Sequence, residues 1–362
     1  MSLPILTLRG SPFELGYEHG KQAQKAIRNN FEFYLGFWHY WSGAGRERIL
    51  EEAKKFIPAI EKVDPALVEE LKGVSRGAAM QLEEIVALNS RYELGYAYMP
   101  ASPAQRLRDG CTAFALLPEA TGNGHMYIGQ NWDYRPGLQD SCMILRLVQN
   151  QKPTIIMHTE AGILGHKGLN SAGLGVCFNV IKCEKDVSRP GLPLWVKARV
   201  ILNSESLPDC IKFLLAFEGP NSVNMVIAHR DGEAIDVECT PDDNLFLSPQ
   251  NGILTHTNHF QSPNLRCKDT GKSLLPDTLI RNQRVNRLFQ NRRGTLEAES
   301  IKGIMKDHFG HPNSICRHRD PRLTPNEQWE TLTSMIMDLS EGTLRYTDGP
   351  PCSHAYERIS FD

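Results

Sequence analysis

The chain has 362 residues, 41% hydrophobic and 23% charged, the balance of a globular protein with enough apolar material for a full core. Lys and Arg number 40 against 42 Asp and Glu, and the net charge of −2 offers no basic surface for nucleic acid or an anionic membrane. No apolar run reaches the length of a transmembrane helix, and Met1-Ser2-Leu3-Pro4-Ile5-Leu6 lacks the basic-then-apolar order of a secretory signal.

Residues 8–100 read as mainly helical. Ser11-Pro12-Phe13-Glu14 has the form of a capping box, with proline at the first helical position. The helix it opens runs through Leu15, Ala23, Ile27, Phe31 and Tyr34, one face at helical spacing. Asp64-Pro65 opens a second helix, with Leu67, Val68, Leu71 and Val74 on one side, and Gln81 to Leu94 forms a third. From 111 to 180 the pattern changes to short strands bounded by Gly, Asn or Pro: 113–117, 125–133, 142–148, 154–158 and 173–179. Helices return at 194–204 and 207–217, strands at 224–229, 234–239 and 252–257, and helices again at 276–292 and 297–309. Thr331–Asp338 and Thr343–Tyr346 form a final hairpin around Gly342. Blocks of helices and strands in this order predict an α+β protein of two stacked antiparallel sheets with helices outside. No repeat, low-complexity tract or long linker divides it.

The nine cysteines stand at 111, 142, 177, 183, 210, 239, 267, 316 and 352. Their number is odd and no two are spaced as CxxC. This predicts reduced thiols inside the cell and speaks against both a disulfide framework and a zinc site built on cysteine pairs. Ile359-Ser360-Phe361-Asp362 is not a peroxisomal address, so the expected compartment is the cytoplasm.

Cys111 carries the first chemical signal. It stands in Arg108-Asp109-Gly110-Cys111-Thr112, directly before a strand, with Asp133 at the end of the next strand. Cutting the 110–111 bond would place a thiol and a free α-amine on one residue, nucleophile and base together. Alone, the pentapeptide reads more simply as a small apolar residue at a strand start. Three further segments put polar groups at strand ends, where sites are commonly built: Gln130-Asn131-Trp132-Asp133, Thr255-His256-Thr257-Asn258-His259 and Pro312-Asn313-Ser314-Ile315-Cys316-Arg317.

Together with Ser11 to Gly20, Thr159-Glu160-Ala161-Gly162-Ile163 and Asn170-Ser171-Ala172-Gly173, these segments resemble the acyl-coenzyme A:6-aminopenicillanic acid acyltransferase (isopenicillin N acyltransferase) family. That family is a branch of the N-terminal-nucleophile hydrolases, and the likeness covers nearly the whole chain. It implies a four-layer αββα sandwich, made as a single domain that cuts itself into residues 1–110 (α chain) and 111–362 (β chain), which then form a heterodimer. It implies Gly110-Cys111 as the processing site and Cys111 as nucleophile in both cleavage and catalysis. A thiol near pKa 8.5 and an α-amine of about 7.7–8.0 can exchange a proton near neutrality. By the same resemblance Asp133 orients the α-amine, with a neighbouring cation favouring its charged form. Asn258 donates to the oxyanion, and Arg317 places positive charge near the thiol. Arg135 carries no motif reason to be chosen.

The implied partners are small molecules: an acyl donor, with acyl-CoA as a possible substrate, and an amine acceptor such as 6-aminopenicillanic acid. No cofactor and no metal are expected, and no nucleic acid or membrane. The penicillin-forming enzymes end in a peroxisomal tripeptide and Phe361-Asp362 does not, which leaves hydrolysis of small N-acyl amines such as β-alanyl amines, or acyl-ligand binding without turnover, as alternatives. His256-x-x-His259 and His308-x-x-His311 lack the His-Glu-x-x-His spacing of a metalloprotease. Ser171 lacks the first glycine of a nucleophile elbow, and no Walker or dinucleotide fingerprint is present.

Overall fold

A computed structural model describes residues 2–98, 110–187, 189–217 and 219–361. Arg108 and Asp109 of the processing motif lie outside the described residues. The chain opens with strand β1 (Ile5–Gly10) and continues through helices α1 (Pro12–Gln22), α2 (Gln24–Ser42), α3 (Arg46–Lys54), α4 (Ile57–Val63), α5 (Pro65–Ala78), α6 (Leu82–Asn89) and α7 (Arg91–Tyr98). The caps form as expected. Ser11 Oγ accepts from the Glu14 N–H at 3.4 Å while Glu14 Oε2 accepts from the Ser11 N–H at 2.7 Å, and Asp64 Oδ1 accepts from the Ala66 N–H at 3.0 Å. The first helix does not run through to Tyr34. It breaks at Ala23 (φ −105°, ψ 16°), and the apolar spacing simply continues across the break.

The strands that follow are β2 (Thr112–Leu116), β3 (Tyr127–Tyr134), β4 (Cys142–Gln149), β5 (Ile155–Glu160), β6 (Lys167–Asn170) and β7 (Leu174–Asn179). Then come α8 (Leu194–Asn203), α9 (Leu207–Ala216), β8 (Val223–His229), β9 (Glu233–Cys239), β10 (Asn244–Leu247) and β11 (Ile253–His256). The chain ends with α10 (Gly271–Leu274), α11 (Asp277–Gln290), α12 (Ala298–Met305), β12 (Glu330–Asp338), β13 (Thr343–Tyr346) and β14 (Glu357–Ser360). One sheet has the order β1-β4-β5-β6-β7-β8-β9-β10 and the other β11-β2-β3-β12-β13-β14. All pairs are antiparallel except β1 with β4, which run parallel from Ile5↔Ile144 to Gly10↔Gln149. That pair corrects the expectation of two wholly antiparallel sheets. A parallel partner lies far away in sequence, so no turn signal announces it.

Alternation along β2 and β3 builds the layers. Ala113, Ala115, Ile128 and Trp132 join Met157, Val176 and Val226 of the other sheet in one core. The alternate residues Phe114, Leu116 and Tyr127 pack with Val285 and Phe289 of α11 and Ile301 and Met305 of α12. On the far side, Leu15, Ile27, Phe31, Val74 and Ile201 of α1, α2, α5 and α8 complete the first core. The result is the four-layer αββα arrangement. No described helix is long and apolar enough to cross a membrane.

Candidate active site

Gly110 and Cys111 lie immediately before β2, buried between the sheet end and Arg317. A Cβ on Gly110 would stand 2.7 Å from Arg317 Nε, so any larger residue would have to push that guanidinium aside. The Cys111 N–H donates to Asn258 Oδ1 at 2.9 Å. The Cys111 carbonyl accepts from an Arg281 Nη1–H at 2.7 Å, and the same guanidinium donates to Thr112 Oγ1 (3.1 Å) and Asn258 Oδ1 (2.9 Å). Asn258 is itself fixed. Its N–H donates to Thr278 Oγ1 at 2.7 Å and its Nδ2 to the Val180 carbonyl at 3.0 Å.

A run of charges continues from this point. Arg281 Nε pairs with Asp277 Oδ2 at 2.7 Å, and Asp277 Oδ2 also accepts from Arg317. Arg317 Nε reaches Asp133 Oδ2 at 3.3 Å and its Nη1 donates to Asn313 Oδ1 at 2.5 Å. Thr331 donates to Asp133 Oδ1 at 2.7 Å. Burial works to raise Asp277, but Arg281 and Arg317 outweigh it and hold the carboxyl below its usual range. At Asp133 burial wins instead. It pushes that carboxyl up to about 7 against the pull of Arg317 and Arg281, where a neighbouring cation had been expected to favour the charged form. A cleft of about 340 Å³, lined in part by Asp277, Asn313, Arg317, Glu327 and Trp329, opens onto this run.

Lys167 occupies the inter-sheet side. Thr112 pairs with Asn131, so Cys111 falls opposite Trp132, on the face turned toward the other sheet. Lys167 Nζ lies 4.0 Å from the centre of the Trp132 ring and 3.2 Å from His166 Nδ1. Burial brings this ammonium down to about 8, while the charge of Cys111 works to raise it.

The four residues expected to act together, Cys111, Asp133, Asn258 and Arg317, are therefore all buried in one neighbourhood. In the continuous chain the Cys111 N–H goes to Asn258 rather than to Asp133, whose carboxylate is held by Thr331 and Arg317. Arg281, Asp277 and Lys167 were missed. Asp277 and Arg281 stood four residues apart on an expected helix, a legible ion pair. Lys167 left no signal in Gly165-His166-Lys167-Gly168. Arg135 lies elsewhere, its guanidinium 4.0 Å from the centre of the Phe37 ring. His256 Nε2 is 2.8 Å from Glu238 Oε1 inside the core.

Residues 120–351 match the family model described as acyl-coenzyme A:6-aminopenicillanic acid acyl-transferase. A protein of Emericella nidulans named acyl-coenzyme A:6-aminopenicillanic-acid-acyltransferase 40 kDa form is 31% identical over 318 residues, 86% of this chain and 84% of that one. Among solved structures, a mutant of conjugated bile acid hydrolase from Clostridium perfringens superposes with a TM-score of 0.45 at 15% identity, covering 70% of this chain and 97% of that one. Penicillin V acylase from Agrobacterium tumefaciens gives a TM-score of 0.44 at 12% identity, covering 69% and 86%.

Proposed function

The chain belongs to the acyl-coenzyme A:6-aminopenicillanic acid acyl-transferase family, and from that premise we propose a self-processing cysteine N-acyltransferase and amide hydrolase that acts through Cys111. The observation that carries the reading is the grip on the 110–111 junction. Asn258 holds the Cys111 nitrogen at 2.9 Å and Arg281 holds its carbonyl at 2.7 Å, with Arg317 packed on Gly110.

In this reading the Cys111 thiol attacks the Gly110 carbonyl. The C–N bond breaks, the Cys111 nitrogen leaves as the amine with the thiol's proton, and a thioester remains. Water opens the thioester, giving a carboxylate at Gly110 and a free thiol at Cys111. Residues 1–110 and 111–362 stay together as a heterodimer, because β1 is a strand of the larger sheet. In the second phase the α-amine, oriented by Asp133, takes the thiol's proton and the thiolate attacks the acyl carbonyl of a substrate. Asn258 donates to the oxyanion once its Nδ2 turns from Val180, while Arg281, held on the Cys111 carbonyl, and Arg317 add positive charge beside the nucleophile. Passage of the acyl group from the thioester to an amine is transfer, and passage to water is hydrolysis. Family membership supports acyl-CoA as donor and 6-aminopenicillanic acid as acceptor. The described residues hold no disulfide, which fits a cytoplasmic setting.

Intact mass of wild type beside Cys111→Ala tests the reading. Wild type is expected as two chains, the larger beginning at Cys111, with acyl transfer from acyl-CoA to 6-aminopenicillanic acid. The variant is expected as one inactive chain. An uncut wild-type chain would end the proposal.

A further inference from the structure

Away from the nucleophile's chemistry, the fold gathers a second set of reactive side chains. His308 follows α12, Cys316 and His318 flank Arg317, and Cys352 lies between β13 and β14. One donor atom from each falls within 4.8 Å of the other three. His318 Nε2 is 3.1 Å from His308 Nε2, 3.6 Å from Cys316 Sγ and 3.5 Å from Cys352 Sγ. An imidazole nitrogen has one proton or one lone pair, so hydrogen bonding satisfies at most one of these three neighbours. A tetrahedral cation satisfies all of them. Bonds of about 2.0–2.1 Å to nitrogen and about 2.3 Å to sulfur set N–N edges near about 3.3 Å and N–S edges near about 3.6 Å. The three separations match those edges. Two thiolates and two imidazoles are a soft donor set suited to zinc and unsuited to magnesium or calcium.

We propose that His308, Cys316, His318 and Cys352 bind one zinc ion in a closed structural site. Binding replaces two S–H bonds by two Zn–S bonds, releases two protons to solvent and oxidises nothing. Four protein donors leave no open position for a substrate or water. Cys316 and His318 bracket Arg317, so the ion fixes the backbone from which that guanidinium reaches Asp133 and Asp277. It also ties this loop to the C-terminal segment through Cys352. No CxxC spacing announces the set, which is why spacing argued against a cysteine-based zinc site. Of the pair His308-x-x-His311, only His308 belongs to it.

The test uses the full chain purified under reducing conditions from zinc-replete medium and freed of loose metal. About one zinc per chain is expected by elemental analysis. After chelation, cobalt(II) alone is expected to give thiolate-to-cobalt charge-transfer absorption and the strong visible bands of tetrahedral coordination. Cys352→Ser changes an exposed donor and should lose both signals while remaining folded by circular dichroism. His354→Ala, a neighbouring histidine outside the set, should keep both. Folded, reduced wild type that carries no zinc and gives only weak octahedral cobalt bands would overturn the proposal. So would a Cys316–Cys352 disulfide in the protein as isolated.

Discussion

At Lys167 an ammonium sits almost wholly out of water, only 1% exposed, over the Trp132 ring and with no described carboxylate at ion-pair distance. Around it are Arg91 of α7, Glu160 and His158 of β5, His166 beside it, Cys177 of β7 and Cys111 before β2. Electrostatic help is mutual. If the Cys111 charge favours the ammonium, the ammonium favours the thiolate. Lys167→Met is therefore expected to move the pH midpoint of Cys111 alkylation by iodoacetamide up by about one unit, with Lys167→Arg restoring much of it. Mass spectrometry of the Cys111 peptide separates this thiol from the other cysteines. An unchanged midpoint in both variants would remove Lys167 from the site. Cys111, Asp133 and Asn258 could be picked out as candidates because each sits in a short motif beside a strand, and Arg317 because of the motif around it, in the loop between α12 and β12. Lys167 could not, because β6 has four residues and its partner across the sheets, Trp132, is far away in sequence.

At the scale of elements, α1 and α5 cross with their backbones in contact. A Cβ on Gly16 would lie 2.0 Å from the Glu70 carbonyl, and one on Gly73 would lie 2.2 Å from the Phe13 carbonyl. Gly20 and Gly77 meet the facing helix in the same way. Gly16→Ala forces the helices apart and is expected to cost at least about 1–3 kcal/mol, outweighing the gain of up to about 1 kcal/mol in helix propensity. Gly36→Ala on the exposed face of α2, with nothing within 4 Å of the new Cβ, is expected to gain up to about 1 kcal/mol. Urea unfolding of both variants checks the contrast, and a neutral Gly16→Ala would mean the crossing relaxes freely. The glycine spacing was visible in the sequence, but it does not say which helix a glycine stripe faces. Strands with clear turn signals were legible, while β1, with Leu8 its only buried residue, was not.

The whole molecule interleaves its first hundred residues with the rest through buried polar contacts, and these set its response to acid. His19 Nε2 on α1 accepts from the Gly162 N–H after β5 at 3.1 Å, so the native ring must be neutral there. Burial, then Arg199, lowers His19 to about 4. Burial likewise holds His158 and His166 well below their usual value. Below about pH 6.5 the unfolded chain takes protons that these rings refuse, so each contribution is lost as pH falls. Glu93, Asp133 and Asp236, raised by burial to about 7, act in the opposite direction. The native carboxyls hold protons that the unfolded chain gives up, so they favour folding as pH drops from about 7 toward 4. These windows overlap, and the wild-type stability curve alone cannot isolate one group. The difference between wild type and His19→Gln can. Whatever its constant offset, the variant is expected to lose less stability on acidification, by about 1.4 kcal/mol per pH unit between about pH 6 and 4.5. Urea unfolding across that range measures it. A gap between the two proteins that stays constant with pH would show that His19 titrates alike in the folded and unfolded chains.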